Sequence, residues 1–170
     1  MRPSLALGVA LLALTAGLSS AGGAANGTPR CHTPDLRVYL IPLGGAAGTI
    51  VEDLAFRNRS GHSCFVFGHP GLGLEDAQHR LLPSRVTWGS TVARHDPGAH
   101  RVVLRPGRAA FASLDYSDVQ VRNERCRRPA WLAVIPPDEF THRLVPFRTI
   151  VCNHGHLTVT ALSRTRTPHG

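Results

Sequence analysis

Cys152-Asn153-His154-Gly155-His156 brings a sulfur and two imidazoles together in one short segment. On an extended strand the His-x-His spacing sets His154 and His156 on one face, where they could share copper or zinc. A blue-copper centre would also need a free thiolate and usually a weak axial methionine. The only methionine is Met1, at the start of the chain, and Cys152 is expected to be oxidised. His154 and His156 are therefore candidate metal ligands, against the plainer alternative of two exposed histidines beside a disulfide. No resident cofactor is expected.

Acid–base and hydrolytic chemistry find little support. There are 10 histidines, but no Gly-x-Ser-x-Gly elbow. The acidic pairs Glu52-Asp53, Glu75-Asp76 and Asp138-Glu139 are direct neighbours. On a strand such neighbours point to opposite faces and do not converge on one substrate. They read as solvated turn and edge residues, and the chain is not expected to be an enzyme.

The charge balance points further. The 19 cationic residues are all arginine, against 11 acids. Arg57 and Arg59 flank a turn; Arg122, Arg125, Arg127 and Arg128 surround Cys126. A guanidinium forks onto phosphate or carboxylate and stays charged at any physiological pH. These six are candidate anion-binding residues. The expected partners are an anionic cell-envelope polymer, anionic lipid headgroups or an extracellular protein. Nucleic acid is not expected, because no nucleic-acid-binding signature accompanies the charge.

These side chains need a scaffold, and the N-terminus indicates where it is built. Arg2 precedes an apolar run from Leu5 to Leu18, followed by small residues from Ser19 to Ala25. That is the pattern of a secretion signal over residues 1–25, with cleavage after Ala21 or Ala25. The run is too short to span a bilayer, which takes ~20 residues. No cysteine follows a small-residue cleavage site, so no lipid anchor is expected and the mature chain should be free outside the cell. Four cysteines in a secreted chain read as two disulfides, with three pairings open. Cys31–Cys64 and Cys126–Cys152 are favoured, because each closes a short loop within its own half of the chain. Each would add roughly 3–4 kcal/mol by the chain-entropy argument.

Helical periodicity is absent; Pro and Gly interrupt every window. Alternating strands recur instead. They are expected at Leu36–Ile41, Ile50–Asn58, Cys64–Phe67, Leu72–Leu74, Arg101–Leu104, Ala109–Tyr116, Trp131–Ile135, Arg148–Cys152 and His156–Leu162. Asn58-Arg59-Ser60-Gly61 is read as the turn of a hairpin returning through Cys64–Phe67. Arg105-Pro106-Gly107-Arg108 is read as the turn of a second hairpin. Residues 77–98 read as short strands in long loops. Eight or nine short strands bury their apolar faces most simply as two packed antiparallel sheets. Residues 26–30 form a short linker, 31–162 the domain, and 163–170 a flexible, frayed tail.

The order of turns and cysteines resembles the DUF4232 family, a secreted domain of unknown function. The resemblance rests on Gly45-Ala46-Ala47-Gly48-Thr49, Leu54-Ala55-Phe56-Arg57-Asn58, Cys64 and Gly68-His69-Pro70-Gly71-Leu72. It continues through Val103-Leu104-Arg105-Pro106-Gly107-Arg108-Ala109, Cys126, Val134-Ile135-Pro136-Pro137 and Cys152. It covers roughly Cys31 to Leu162 and implies an all-β, immunoglobulin-like antiparallel β-sandwich. The expected role is that of a secreted, non-enzymatic module; the alternative is a secreted copper- or zinc-binding protein using the histidines near Cys152.

Overall fold

The computed structural model describes residues 27–167. The expected secretion signal, its expected cleavage positions and the last three residues of the tail lie outside the described residues. The fold is all-β, as the alternation predicted. Eleven strands form it: β1 (Leu36–Ala46), β2 (Thr49–Asn58), β3 (Cys64–Phe67), β4 (Gly71–Glu75), β5 (Leu81–Leu82), β6 (Arg85–Trp88), β7 (Arg101–Leu104), β8 (Ala109–Ser117), β9 (Trp131–Ile135), β10 (Arg143–Pro146) and β11 (His156–Val159). No helix among the described residues is long and apolar enough to cross a membrane.

The strands make a five-stranded sheet, β1-β2-β8-β11-β6, a four-stranded sheet, β10-β9-β4-β5, and a two-stranded ribbon, β3-β7. All pairs are antiparallel except β11 with β6. The core lies between the layers. Leu54 and Phe56 of β2 are fully buried, and so are Leu114 of β8, Leu74 of β4, Leu132 and Val134 of β9 and Leu157 of β11. Large and small side chains alternate across the seam: Phe56 stands opposite Ala110, and Leu54 opposite Ala112. The small residues of β8 leave the room that the large residues of β2 fill.

Both expected disulfides are present. Cys31 joins Cys64, and Cys126 joins Cys152; no free cysteine remains. Such bonds persist in oxidising surroundings.

Both expected hairpins are absent. Strand β2 pairs with β1 on one side and β8 on the other, so neither edge is left for β3. Strand β3 pairs with β7 instead. The crossing is made by Asn58. Its Oδ1 accepts the Ser60 amide at 2.8 Å, while its Nδ2 donates to the His62 and Leu104 carbonyls at 2.8 and 3.0 Å. This buried side chain turns the strand end toward the second layer. The turn at 105–108 likewise leads from the ribbon to the five-stranded sheet rather than closing a hairpin. Gly107 N–H donates to the Asn58 carbonyl and the Arg108 carbonyl accepts from Asn58 N–H. Local turn chemistry marks where the chain bends but not which layer it enters.

Two smaller differences follow from cross-strand context. Arg148–Cys152 is not a strand; only Val151 makes a bridge, to Arg127. The tail, expected to fray, is held over its described part. Thr167 is buried, and its hydroxyl donates to Asp53 Oδ1 at 2.6 Å. Its amide points at the same carboxylate, as does Arg166 Nε at 3.4 Å. Arg94 donates to the Thr165 carbonyl at 2.7 Å. Asp53 lies on the outer face of β2, where a carboxylate with no exposure at all needs these partners. Its neighbour Glu52 points to the other face, as adjacent strand residues must.

Candidate functional site

The His-x-His reading fails in the backbone. Residues Asn153–Gly155 form a short 3-10 turn in which Asn153, His154 and Gly155 all have positive φ. Gly155 is needed there, because a Cβ at that position would meet the Pro83 carbonyl oxygen at 2.6 Å. The turn is closed by Glu124, a residue that no motif singles out. Its carboxylate accepts the Asn153 amide at 2.6 Å and the His154 amide at 2.8 Å. Successive backbone amides of this kind make an anion nest. The Asn153 amide, first, holds the Glu124 carboxyl below its ordinary value.

The two imidazoles have different partners. His154 Nδ1 faces Glu124 at 3.7 Å and is largely exposed. His156 begins β11, and its Nε2 lies 2.8 Å from the Thr87 hydroxyl. Burial and then the nearby Arg85 push the His156 imidazole below its ordinary value. Glu124 does lie close to Cys126 and Cys152, but those sulfurs are bonded to each other and offer no thiolate. Among the described residues the group of close-set ligand atoms here, Glu124, Cys126 and Cys152, includes neither His154 nor His156.

The six arginines also divide. Strand β2 separates them: Arg57 and Arg59 sit at its Asn58 end. Thr49, at its start, pairs with Ser117, where the loop carrying Arg122, Arg125, Arg127 and Arg128 begins. The strand between spans roughly 30 Å at about 3.3 Å per residue. Arg127 is spent on structure, with Nε donating to the Pro83 carbonyl at 3.0 Å and Nη1 to the Arg125 carbonyl at 3.0 Å.

Topology adds new members to the Arg57 group. Arg37 is the direct cross-strand neighbour of Arg57. Like charges opposite each other on a sheet are unfavourable unless something neutralises them. Arg57 Nε donates to the Gly107 carbonyl at 3.0 Å, which leaves its other nitrogens turned outward against the 105–108 turn. On one side of that turn a hollow of about 270 Å³ is lined by Arg37, Arg57, Asn58, Arg59, Ser60 and Gly107. On the other side a hollow of about 430 Å³ is lined in part by Arg105, Arg108 and Arg164. All six arginines at this end are exposed. Among the described residues none of the six makes an ion pair. Asp35, the acid beside them at the start of β1, instead accepts the His32 amide at 3.0 Å.

A second constructed feature lies at the β6 edge. The Trp88 ring stacks on His69 with centroids 5.4 Å apart, and its indole N–H donates to the Pro70 carbonyl at 3.1 Å. His69 Nε2 is 2.9 Å from Asp96, whose other oxygen accepts the Ala161 amide at 2.7 Å. Burial alone would raise the Asp96 carboxyl, but the Ala161 amide and His69 outweigh it and hold it below its ordinary value. A depressed carboxyl contributes stability above its unfolded value of about 3.9, and that contribution is lost as pH falls through the folded value. Asp96→Asn is therefore expected to melt below the wild-type protein at pH 6. The gap should narrow as the pH falls below about 3.9 and the Asp96 carboxylate takes up its proton. Thermal unfolding across that range checks it; a gap that is unchanged by acid would contradict it.

A family model described as "Domain of unknown function (DUF4232)" matches residues 31–163. No curated protein and no solved structure matches the chain.

Proposed function

The chain belongs to the DUF4232 family, and from that premise we propose that it is an exported, non-enzymatic module that docks on an anionic polymer of the cell envelope through the arginine-rich end around residues 105–108. The leader pattern at residues 1–25 and the two disulfides support export. The observation that carries the docking reading is the set of Arg37, Arg57, Arg59, Arg105, Arg108 and Arg164 gathered on one turn with no carboxylate partner among the described residues. Placing two guanidinium groups directly opposite each other costs stability in the free protein. A bound phosphate or uronate removes that cost and accepts bidentate hydrogen bonds from each fork. Two basic hollows flanking one turn suit a chain of repeated anions rather than a single small one.

The test compares two triple variants with equal charge. In Arg57→Gln/Arg59→Gln/Arg108→Gln the proposed end is weakened; in Arg122→Gln/Arg125→Gln/Arg128→Gln the same charge is removed from the far end. On heparin resin the wild-type chain should be retained beyond ~0.15 M salt, where exposed charges are screened over ~8 Å. The first variant should elute markedly earlier and the second close to wild type. Equal losses for both would mean that only diffuse positive charge is felt.

A further inference from the structure

We propose that Glu75, His79 and His142 form a binding site for a divalent first-row transition ion, with Zn²⁺ as its natural probe.

The site lies on the outer face of the four-stranded sheet. Glu75 ends β4 and stands opposite Trp131 of β9. Its side chain is only 8% exposed, yet its carboxylate receives no backbone amide. Its partners are two imidazoles: His79 Nδ1 at 3.2 Å from Oε2, and His142 Nε2 at 4.0 Å from Oε1. Gly73 and Ala133 pair in the row next to Glu75 and Trp131, and His142 immediately precedes β10 on the far side of β9.

His79 is placed there at a conformational cost. Residues 76–80 link β4 to β5 in a tight turn: His79 N–H donates to the Asp76 carbonyl and Asp76 N–H to the Arg80 carbonyl. The residue after such a turn takes left-handed backbone, a position that glycine ordinarily fills. Here it is His79, at φ 59. The turn is further pinned by Asp76 Oδ1, which accepts the Gln78 and Arg80 amides at 2.9 and 3.0 Å. The imidazole stacks on Trp131 with centroids 5.5 Å apart. A strained residue, held by a rigid turn and an aromatic wall, delivers its nitrogen to a buried carboxylate. Strain of this kind concentrates where a site needs it.

The geometry suits a small divalent ion. Two ligand atoms at about 2.1 Å from zinc and at tetrahedral angles stand roughly 3.4 Å apart. The Glu75–His79 separation already matches this. His142 makes no other hydrogen bond among the described residues and is about half exposed, and its side chain has to rotate from this position to join the ion. Two histidines and one carboxylate with a position left open is a recurrent set for zinc and other first-row ions. Both histidines are open to solvent on one side, which gives the ion a route in.

The experiment is calorimetric titration of ZnCl₂ into the chelator-treated, disulfide-intact chain, with MgCl₂ as control. One zinc per chain and no magnesium binding are expected. Glu75→Gln should abolish binding. His142→Gln should weaken it by at least about tenfold, or about 1.4 kcal/mol. His79→Gly separates binding from folding, because glycine suits the left-handed turn: the variant should unfold cooperatively and lose the zinc-induced rise in melting temperature, measured against its own metal-free value. X-ray absorption of the zinc complex should show only nitrogen and oxygen ligands. No zinc binding by the wild-type chain would overturn the proposal, as would binding that His79→Gly and His142→Gln leave unchanged.

Discussion

Phe56→Ala is expected to lower the free energy of unfolding by about 3–5 kcal/mol. Phe56 has no exposed surface and is the largest of the fully buried side chains. It sits on β2, whose two edges are both paired, so the backbone around it cannot collapse inward to fill the gap. Its cross-strand neighbour on β8 is Ala110, whose methyl group cannot swing into the space. The loss is therefore both the transfer of a ring from the core and most of the cavity it leaves. Chemical denaturation should show a much lower midpoint with an unchanged slope. A loss below about 1.5 kcal/mol would mean that the layers close up more freely than close packing allows.

The Cys31→Ala/Cys64→Ala pair should cost roughly 3–4 kcal/mol by the chain-entropy argument. The bond closes a loop across 33 positions. It ties the segment before β1 to β3 of the ribbon, where Cys31 N–H already donates to the Phe65 carbonyl and Phe65 N–H to the Pro29 carbonyl. With those bonds in place the folded state should keep its geometry, and the loss should come from a freer unfolded chain. Denaturation of the double variant beside wild type, both without reductant, measures it. Wild type in excess reductant should fall at least as far, because it loses both disulfides. A double variant as stable as wild type would show that the segment before β1 is held by packing and hydrogen bonds alone.

Much of the fold was legible because alternation is a strong signal. Alternation gives Trp131–Ile135 the bounds of β9, and Leu36–Ile41 and Ile50–Asn58 fall within β1 and β2. The cysteine pairing followed from loop length. Partners were not legible. Asn58 and Gly107 look like hairpin turns in sequence, yet each carries the chain between layers, because what decides is which edges other strands have already taken. Strand β10 was missed because Arg143–Pro146 is short and ends in proline. Its place is set by pairing with β9.

The chemistry was less legible for the same reason. Arg37 and Arg57 are set opposite each other only by register, and Arg164 reaches the hollow lined by Arg105 and Arg108 only through the path of the tail. The His154–His156 spacing would have counted on a strand, but the Asn153–Gly155 turn, fixed by Glu124, removes the shared face. His79 carried a signal that could have been used. Glu75-Asp76-Ala77-Gln78-His79 links two short strands, and a histidine at the left-handed position of such a turn is unusual enough to question.

The buried Thr167–Asp53 contact bears on how the protein can be handled. The segment leading to Thr167 acts as a stopper seated on the outer sheet, so tension on it is felt at the middle of β2. A bulky fluorophore or affinity handle fused directly after Thr167 would compete with that seat. It would leave a desolvated carboxylate facing only Arg166, and a flexible spacer should come first. Digestion by carboxypeptidase should stall at the same place, for as long as the stopper holds.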